Sequence, residues 1–328
     1  MTIIAFIVPL LAAMAIGMPI AYALLVCGVA LMIQLDTFES QIIAQNLING
    51  ADSFPLMAVP FFMLAGEIMN TGGLSKRIVD FALGLVGHVK GGLGYVAVVA
   101  ACILSALSGS AVADAAALSA LLVPMMVQAG HNRAKSAGLI AAAGCIGPVI
   151  PPSIGFIVFG VAAGLSISKL FFAGIFPGLM MGVGLAVAWW WEVRKENVVP
   201  PPRMSGADIM SKFVKAIPAL LLPGIIIFGL KFGIFTPTEA AVVAAVYSLV
   251  VAMFVYRELK WSQLYAVFVT SAKTTAVVMF LVAAALVSAW LITVADLPSK
   301  VISHDDTSAA ATRNMTIAVV LAAVTNTA

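Results

Sequence analysis

This sequence has very few charged side chains. Asp, Glu, Lys and Arg make up 9% of its 328 residues, whereas hydrophobic residues make up 62% and the mean hydropathy is +1.12. Soluble domains carry about 25% charged residues, so a pair of soluble domains is excluded. The net charge of +3 is scattered over short loops without a basic patch, which excludes nucleic acid as a partner. The composition predicts an all-α polytopic protein that resides in a lipid bilayer.

Cysteine and histidine are also scarce, with three residues of each. Cys27, Cys102 and Cys145 lie in apolar segments and have neither a Cys-x-x-Cys spacing nor a neighbouring histidine. This pattern predicts buried thiols, with no disulfide framework and no Cys/His metal site. We therefore expect no bound cofactor.

The amino-terminal segment has no charged residue before Asp36 and is apolar from Ile3 to Ile33. A cleaved signal peptide begins with a basic region, which is missing here, so the pattern predicts a retained membrane segment. At about 1.5 Å per residue, the segment is too long for one passage through a hydrocarbon core about 30 Å thick. Gly17 and Pro19 predict the place at which it divides or kinks.

Two interruptions in the central apolar region are the most informative feature of the chain. Residues 106–114 read Ala-Leu-Ser-Gly-Ser-Ala-Val-Ala-Asp, and residues 144–155 read Gly-Cys-Ile-Gly-Pro-Val-Ile-Pro-Pro-Ser-Ile-Gly. The glycines and prolines of the second interruption cannot continue a helix. The segments on its two sides, Ala137–Ile146 and Ile154–Leu165, are each too short to span a bilayer. Together they predict a re-entrant helical hairpin at about residues 137–165.

A broken helix at membrane depth leaves carbonyl oxygens without amide partners, and we expect such oxygens on Gly147 and Ile150. Carbonyls and hydroxyls with little formal charge suit Na⁺, whereas Mg²⁺ and Ca²⁺ require carboxylates. The hydroxyls of Ser108 and Ser110, at the first interruption, would complete the oxygen cage. The alternative is a pair of kinked helices whose small residues allow close packing.

Asp114 is an acidic residue inside a membrane segment, which marks a functional site by default. An intramembrane enzyme would use Asp114 as a catalytic carboxylate. Aspartyl chemistry needs two acids in one site, and Glu67 is the only candidate for the second. An ion channel or a structural membrane subunit is a further alternative.

The longest polar segment, residues 194–215, predicts a cytoplasmic linker because short cationic segments remain on the cytoplasmic side. Its cationic residues are Arg194, Lys195, Arg203, Lys212 and Lys215. Further on, Thr236-Pro-Thr-Glu239 has the pattern of a helix capping box and predicts a helix that runs to Tyr256.

A weak internal repeat relates the two sides of this linker. Gly17-Met-Pro19 resembles Phe235-Thr-Pro237, and residues 106–111 correspond to residues 323–328, which are small and hydroxylated at the same places. Membrane transporters often contain such inverted repeats. The pattern predicts a first repeat at residues 1–193 and the start of a second, apparently truncated repeat at residues 216–328. A second sodium site would then involve Thr325, Asn326 and Thr327.

Four motifs in order resemble the large membrane subunit of the tripartite ATP-independent periplasmic (TRAP) transporters. They are Gly50–Gly66 with its Phe-Pro-Leu-Met-Ala-Val-Pro core, Ser-Gly-Ser-Ala-Val-Ala-Asp at 108–114, Gly-Pro-Val-Ile-Pro-Pro-Ser at 147–153, and Thr-Pro-Thr-Glu-Ala at 236–240. The resemblance implies a Na⁺-coupled importer of the bacterial inner membrane, with inverted repeats and an elevator mechanism. Its implied partners are a small four-helix membrane subunit and a periplasmic substrate-binding protein.

The same resemblance implies the roles of individual residues. It assigns Ser108, Gly147, Ile150 and Pro152 to a sodium site, and Ser110, Asp114 and Ser153 to the substrate cavity. The implied substrate is a carboxylate, with sialic acid favoured over C4-dicarboxylates. Family members continue beyond the end of this sequence with a second hairpin, which places the second sodium site in doubt.

Overall fold

The computed structural model describes residues 2–195, 198 and 202–296, with all side chains except those of residues 2, 3, 107, 108 and 113. Every regular element within this part of the chain is helical, which confirms the predicted all-α class. A 3₁₀ turn, Phe54–Met57, precedes α4, and a π-helical segment, Val251–Val255, follows α12. The helices are α1 Thr2–Ala15, α2 Ile20–Gln34, α3 Ser40–Ala51, α4 Ala58–Thr71, α5 Leu74–Val86, α6 Gly92–Ser108, α7 Ala111–Gln128, α8 Arg133–Gly144, α9 Ile154–Ala163, α10 Ile167–Val193, α11 Gly206–Lys231, α12 Pro237–Val250 and α13 Trp261–Val294.

Five helical segments in the described part are long and apolar enough to cross a membrane. They are Phe54–Thr71, Ile167–Val193, Gly206–Lys231, Pro237–Val255 and Trp261–Val294. This number of spans confirms a polytopic membrane protein.

The amino-terminal segment divides where the sequence predicts. α1 ends in a Schellman arrangement, in which Gly17 has a positive φ of 85° and the Met18 amide donates to the Ala13 carbonyl at 3.1 Å. Pro19 then precedes α2, because its fixed φ suits the start of a helix.

The chain folds into two compact units, each assembled from segments that are distant in sequence. The first contains the described residues up to Leu56, then Val158–Leu165, then the described residues from Lys273 onward, and the second contains Met57–Ile157 and Ser166–Ala272. The described residues of the predicted linker, 194, 195, 198 and 202–215, belong to the second unit, and the division of the chain into two inverted repeats stays a prediction.

In the first unit, α2 packs closely against α13. The Ser288 hydroxyl donates to the Leu24 carbonyl at 3.2 Å, and Gly28 lies so close to Leu291 that an added Cβ would be 2.8 Å from its Cδ1 atom. Ile43 and Leu47 of α3 pack on the same apolar cluster. These two residues are one turn apart, which explains a helix in a stretch of polar composition.

In the second unit, α11 begins at Gly206, so the last ten residues of the segment predicted as a cytoplasmic linker are helical, while their cytoplasmic location stays a prediction. The start of α11 packs on α5: the rings of Phe213 and Phe81 lie 5.3 Å apart, and Ile209 lies next to Gly84. The cationic residues Lys212 and Lys215 thus belong to an amphipathic helix. Tertiary packing on its apolar face stabilises a helix that composition alone does not indicate.

The start of α12 is the predicted capping box. The Thr236 amide donates to Glu239 Oε2 at 2.7 Å, and the Glu239 amide donates to Thr236 Oγ1 at 3.3 Å. The helix was predicted to continue to Tyr256, but regular α geometry ends at Val250 and the last turn is π-helical.

Candidate ion and substrate site

The first interruption occupies only two residues. α6 ends at Ser108, Gly109 has a positive φ of 61°, and α7 begins at Ala111 after Ser110. Glycine is suited to this backbone conformation because it has no Cβ. The chain thus ends one helix and begins the next with its polar residues at the junction.

The second interruption is a longer turn, residues 145–153, between α8 and α9. Bonds from the amides of Cys145, Ile146 and Gly147 to carbonyls three residues earlier tighten the end of α8. The Pro151–Pro152 peptide bond is cis. The short helices on its two sides confirm two helical arms joined by a turn, while a re-entrant position in the membrane remains a prediction.

The two interruptions lie against each other. A Cβ added to Gly109 would lie 2.4 Å from the carbonyl oxygen of Pro152, and a Cβ added to Gly147 would lie 3.1 Å from the amide nitrogen of Ala111. Similarly, a Cβ on Gly144 would lie 2.8 Å from the Cβ of Ala115. The end of α6 and the start of α7 therefore lie in close contact with the turn and the end of α8, and an added side chain at Gly109 or Gly144 would force a neighbour to shift.

Three backbone carbonyls of the turn have the character expected of cation ligands. Gly147, Ile150 and Pro152 are buried, and their carbonyl oxygens accept no hydrogen bond from another described residue. A buried carbonyl without a donor costs free energy, which a cation can offset. These uncharged oxygens suit a monovalent ion better than a divalent one.

Ser153 has a clear structural role. Its hydroxyl donates to the Pro148 carbonyl and accepts from the Phe156 amide at 3.2 Å, and its side chain is fully buried. It therefore closes the turn and caps the first turn of α9. A direct contact with substrate remains a prediction for this residue.

Ser110 directly precedes α7, and Asp114 lies in the first turn of that helix. The Asp114 amide donates to the Ser110 carbonyl at 3.1 Å, and Asp114 is only 1% exposed. A carboxylate is favoured at this end of a helix because the unpaired amides there carry partial positive charge. Asp114 thus lies in the helix turn that follows the first interruption, and its contact with the substrate stays a prediction.

Two groups of predicted residues lie partly or wholly outside the described part of the chain. Ser108 is described only by its backbone, which ends α6. Thr325, Asn326 and Thr327 all lie beyond the described residues.

The cysteine prediction holds for only one of the three residues. Cys27 is buried, whereas Cys102 is half-buried and Cys145 is exposed. Cys145 directly follows the last residue of α8, and its thiol donates to the Ala141 carbonyl of that helix at 3.6 Å.

The sequence reasoning missed the support of the turn by α10. A Cβ on Gly174 would lie 2.3 Å from the Val149 carbonyl oxygen, and a Cβ on Gly178 would lie 2.3 Å from Cγ1 of Ile150. Gly174, Gly178 and Gly182 are spaced by four residues, a pattern that allows close helix approach in membranes. This glycine spacing in the sequence could have predicted that α10 packs closely against another segment.

Comparison with known proteins identifies the family. Residues 7–325 match the model described as the tripartite ATP-independent periplasmic transporter, DctM component. The chain is 59% identical over 301 residues to the 2,3-diketo-L-gulonate TRAP transporter large permease protein of Escherichia coli, which covers 92% of this chain and 71% of that protein.

Two further relatives are more distant. Identity is 41% over 261 residues with the C4-dicarboxylate TRAP transporter large permease protein of Pseudomonas aeruginosa, covering 80% of this chain and 61% of that protein. It is 37% over 282 residues with the sialic acid TRAP transporter large permease protein of Vibrio cholerae, covering 86% and 66%. All three are named as transporter permeases, which excludes the intramembrane enzyme. The chain therefore belongs to the DctM family of TRAP transporter large permeases, and it is a multi-pass transport protein of the inner membrane.

Proposed function

We propose that this chain imports a small carboxylate by symport with Na⁺, as the large subunit of a tripartite transporter. The observation that carries the proposal is the contact between the two helix interruptions, Gly109 against Pro152 and Gly147 against Ala111. This contact joins the turn that contains Gly147 and Pro152 to the junction of α6 and α7, where the chain carries Ser108 and Ser110. Broken helices that meet in this way form the ion and substrate sites of secondary transporters.

The proposed sodium ligands are the carbonyls of Gly147, Ile150 and Pro152 and the hydroxyl of Ser108. The carbonyls are buried and available, and Ser108 directly precedes the glycine that contacts Pro152. Ser110 and Asp114 line the adjoining substrate cavity in this proposal. Ser153 contributes mainly by holding the turn through its bond to the Pro148 carbonyl.

A carboxylate substrate is supported by the relatives' names, since 2,3-diketo-L-gulonate, C4-dicarboxylates and sialic acid all carry carboxylates. The higher identity with the diketogulonate relative favours a sugar acid of that kind over sialic acid. The positive partial charge at the amino end of α7 suits an anionic group near Ser110.

The proposal includes two protein partners and an elevator movement. A small four-helix membrane subunit and a periplasmic binding protein follow from the tripartite family description. The elevator movement is included because the family implies it, and its test is separate from that of the ion site.

Uptake by the complete transporter in proteoliposomes tests this function. The large permease is reconstituted with its small membrane subunit, its binding protein is added outside, and labelled 2,3-diketo-L-gulonate, succinate and sialic acid are compared. We expect uptake of one of these acids to require an inward Na⁺ gradient and to stop when K⁺ replaces Na⁺. Uptake driven equally well without Na⁺ would contradict the coupling, and conduction of ions without substrate would indicate a channel.

A further inference from the structure

Gly178 of α10 lies directly against Ile150 of the turn. A Cβ on Gly178 would lie 2.3 Å from Cγ1, 3.2 Å from Cδ1 and 3.5 Å from the backbone nitrogen of Ile150. The isoleucine side chain is branched at Cβ and has few χ1 rotamers, so it cannot simply rotate away. A side chain at position 178 would therefore force Ile150 to shift, and we expect the turn that carries it to shift as well.

Gly174, one helical turn earlier, contacts the preceding residue of the turn. Its added Cβ would lie 2.3 Å from the Val149 carbonyl oxygen and 2.3 Å from Cε2 of Phe156. Two consecutive residues of the turn thus rest on two glycines of α10. This surface determines how far the turn stands from the helix axis.

The side chain of Ile150 is held in a small apolar cluster under the turn. Ile146 and Ile150 pack there with Ala106 of α6, and Met181 and Leu185 of α10 border the cluster. The carbonyl of Ile150 belongs to the proposed sodium site, whereas its side chain belongs to this cluster. The fit of the side chain against Gly178 consequently determines the position of the carbonyl.

We propose that Gly178 is a positioning residue for the coupling ion, because it admits Ile150 and so holds the turn carbonyls at the distances that Na⁺ requires. The inference rests on the proposed function. Gly178 touches neither the ion nor the substrate in this role. Functional groups need to be held within about 0.5 Å of their working geometry, and displacement by a methyl group is larger than that.

A neighbouring cavity gives the displaced turn somewhere to move. It has a volume of about 300 Å³ and is lined by apolar residues that include Ile150, Pro151, Leu179 and Pro223. When the turn shifts away from α10, the Ile150 side chain can move with it into this space and remain in apolar surroundings. We therefore expect Gly178→Ala to fold with a shifted turn.

The test compares Gly178→Ala with Gly184→Ala in the complete transporter. The control is the same change in the same helix, at a position where an added Cβ meets nothing within 4 Å. Uptake is measured against Na⁺ concentration, together with the thermal unfolding temperature of each purified variant. We expect Gly178→Ala to raise the Na⁺ half-saturation about tenfold while high Na⁺ restores much of the rate. Gly184→Ala should leave the half-saturation unchanged.

A second control separates turn displacement from general loss of packing. A Cβ on Gly28 would lie 2.8 Å from Cδ1 of Leu291, and both residues belong to the first unit, which does not contain the turn. Gly28→Ala is therefore expected to lower the unfolding temperature without changing the Na⁺ half-saturation. An equal rise of the half-saturation in Gly28→Ala and Gly178→Ala would overturn the positioning role.

A second substitution tests whether Gly178 affects Na⁺ binding through Ile150. Ile150→Ala removes the two atoms that the new methyl group would meet, so the double variant should have a half-saturation closer to wild type than Gly178→Ala has. Failure of the second change to improve Na⁺ affinity would contradict the proposed route.

Ile150→Val provides a variant that does not depend on the folding of Gly178→Ala. It keeps the β-branch, shortens the anchor by one methyl group and is expected to raise the Na⁺ half-saturation about two- to threefold. No change in Ile150→Val, or in a folded Gly178→Ala, overturns the inference while Na⁺ coupling of the wild type stands. Wild-type uptake that ignores Na⁺ overturns the proposed function and the inference together.

Discussion

The carbonyl oxygen of Pro152 occupies the space that a side chain on Gly109 would need. The distance from that oxygen to an added Cβ would be 2.4 Å, and Gly109 also has a positive φ of 61°. The left-handed backbone and the close contact both require glycine, and they occur at the same residue because the junction of α6 and α7 is also the point that contacts the turn. Gly109 thus joins the two halves of the candidate site.

Replacement of this glycine should damage the site severely. Gly109→Ala costs about 1–2 kcal/mol for the left-handed backbone alone, and the clash with the Pro152 carbonyl adds to this. We expect a lower thermal unfolding temperature and a loss of uptake that extra Na⁺ does not restore.

Gly138→Ala is the control for that experiment, since Gly138 is an exposed residue of α8 with nothing within 4 Å of an added Cβ. It should stabilise the helix by about 0.5–1 kcal/mol. Wild-type uptake by Gly109→Ala would show that the close contact is unimportant.

Loss of the Ser108 hydroxyl should weaken sodium binding. Ser108→Ala removes one proposed ligand, and a hydrogen-bond-like contact to a charged group is worth about 1.5–3 kcal/mol. The Na⁺ concentration for half-maximal uptake should therefore rise about ten- to a hundredfold. Ser119→Ala is the control, because the Ser119 hydroxyl only donates to the Ala116 carbonyl within α7. An unchanged half-saturation in Ser108→Ala would refute the proposed ligand.

Removal of the Asp114 charge should reduce transport without unfolding the protein. Asp114→Asn keeps the size and much of the hydrogen bonding of a side chain that is 1% exposed. We expect a lower rate at saturating Na⁺ and a normal amount of inserted, folded protein.

Asp208→Asn provides the matched comparison for Asp114→Asn. Asp208 also lies in the first turn of a helix, α11, but it is exposed. Equal uptake by both variants and the wild type would assign Asp114 a purely structural role at the helix end.

Loss of the α12 capping box should affect stability more than transport. Thr236→Ala removes the side-chain acceptor of the Glu239 amide, and such a loss costs about 1 kcal/mol. Thermal unfolding in detergent measures this effect. Thr236→Ser retains the hydroxyl and should unfold at nearly the wild-type temperature. A Thr236→Ala variant as stable as Thr236→Ser would show that the cap contributes little.

The orientation of the chain can be tested by cysteine labelling. Ser205 is exposed at the amino end of α11, next to the cationic residues that predict a cytoplasmic location. In a chain without its three native cysteines, Ser205→Cys should react with an impermeant reagent only after the cytoplasmic side is opened. Labelling in intact cells would reverse the predicted orientation.

The sequence alone predicted where several helices begin and end. Gly17 and Pro19 divide the first two helices, Thr236 and Glu239 form a capping box, and the Gly147–Ser153 segment interrupts a helix, as predicted. Each of these features depends on a few adjacent residues whose allowed dihedral angles and hydrogen-bonding groups determine the outcome. The all-helical membrane class followed similarly from composition.

The tertiary structure decided which of these local features come together. The sequence predicted that the two interruptions share one site, but in a chain that is apolar on most faces, periodicity does not show which atoms meet, so the contact of Gly109 with the Pro152 carbonyl was decided by the tertiary structure. The start of α11 could not be predicted from the sequence for the same reason, because it is stabilised by the packing of Phe213 against Phe81. The role of a glycine such as Gly178 depends on the residue that it contacts. Here that residue is Ile150, which lies 28 positions away in the sequence (178 − 150), so the sequence does not show the contact.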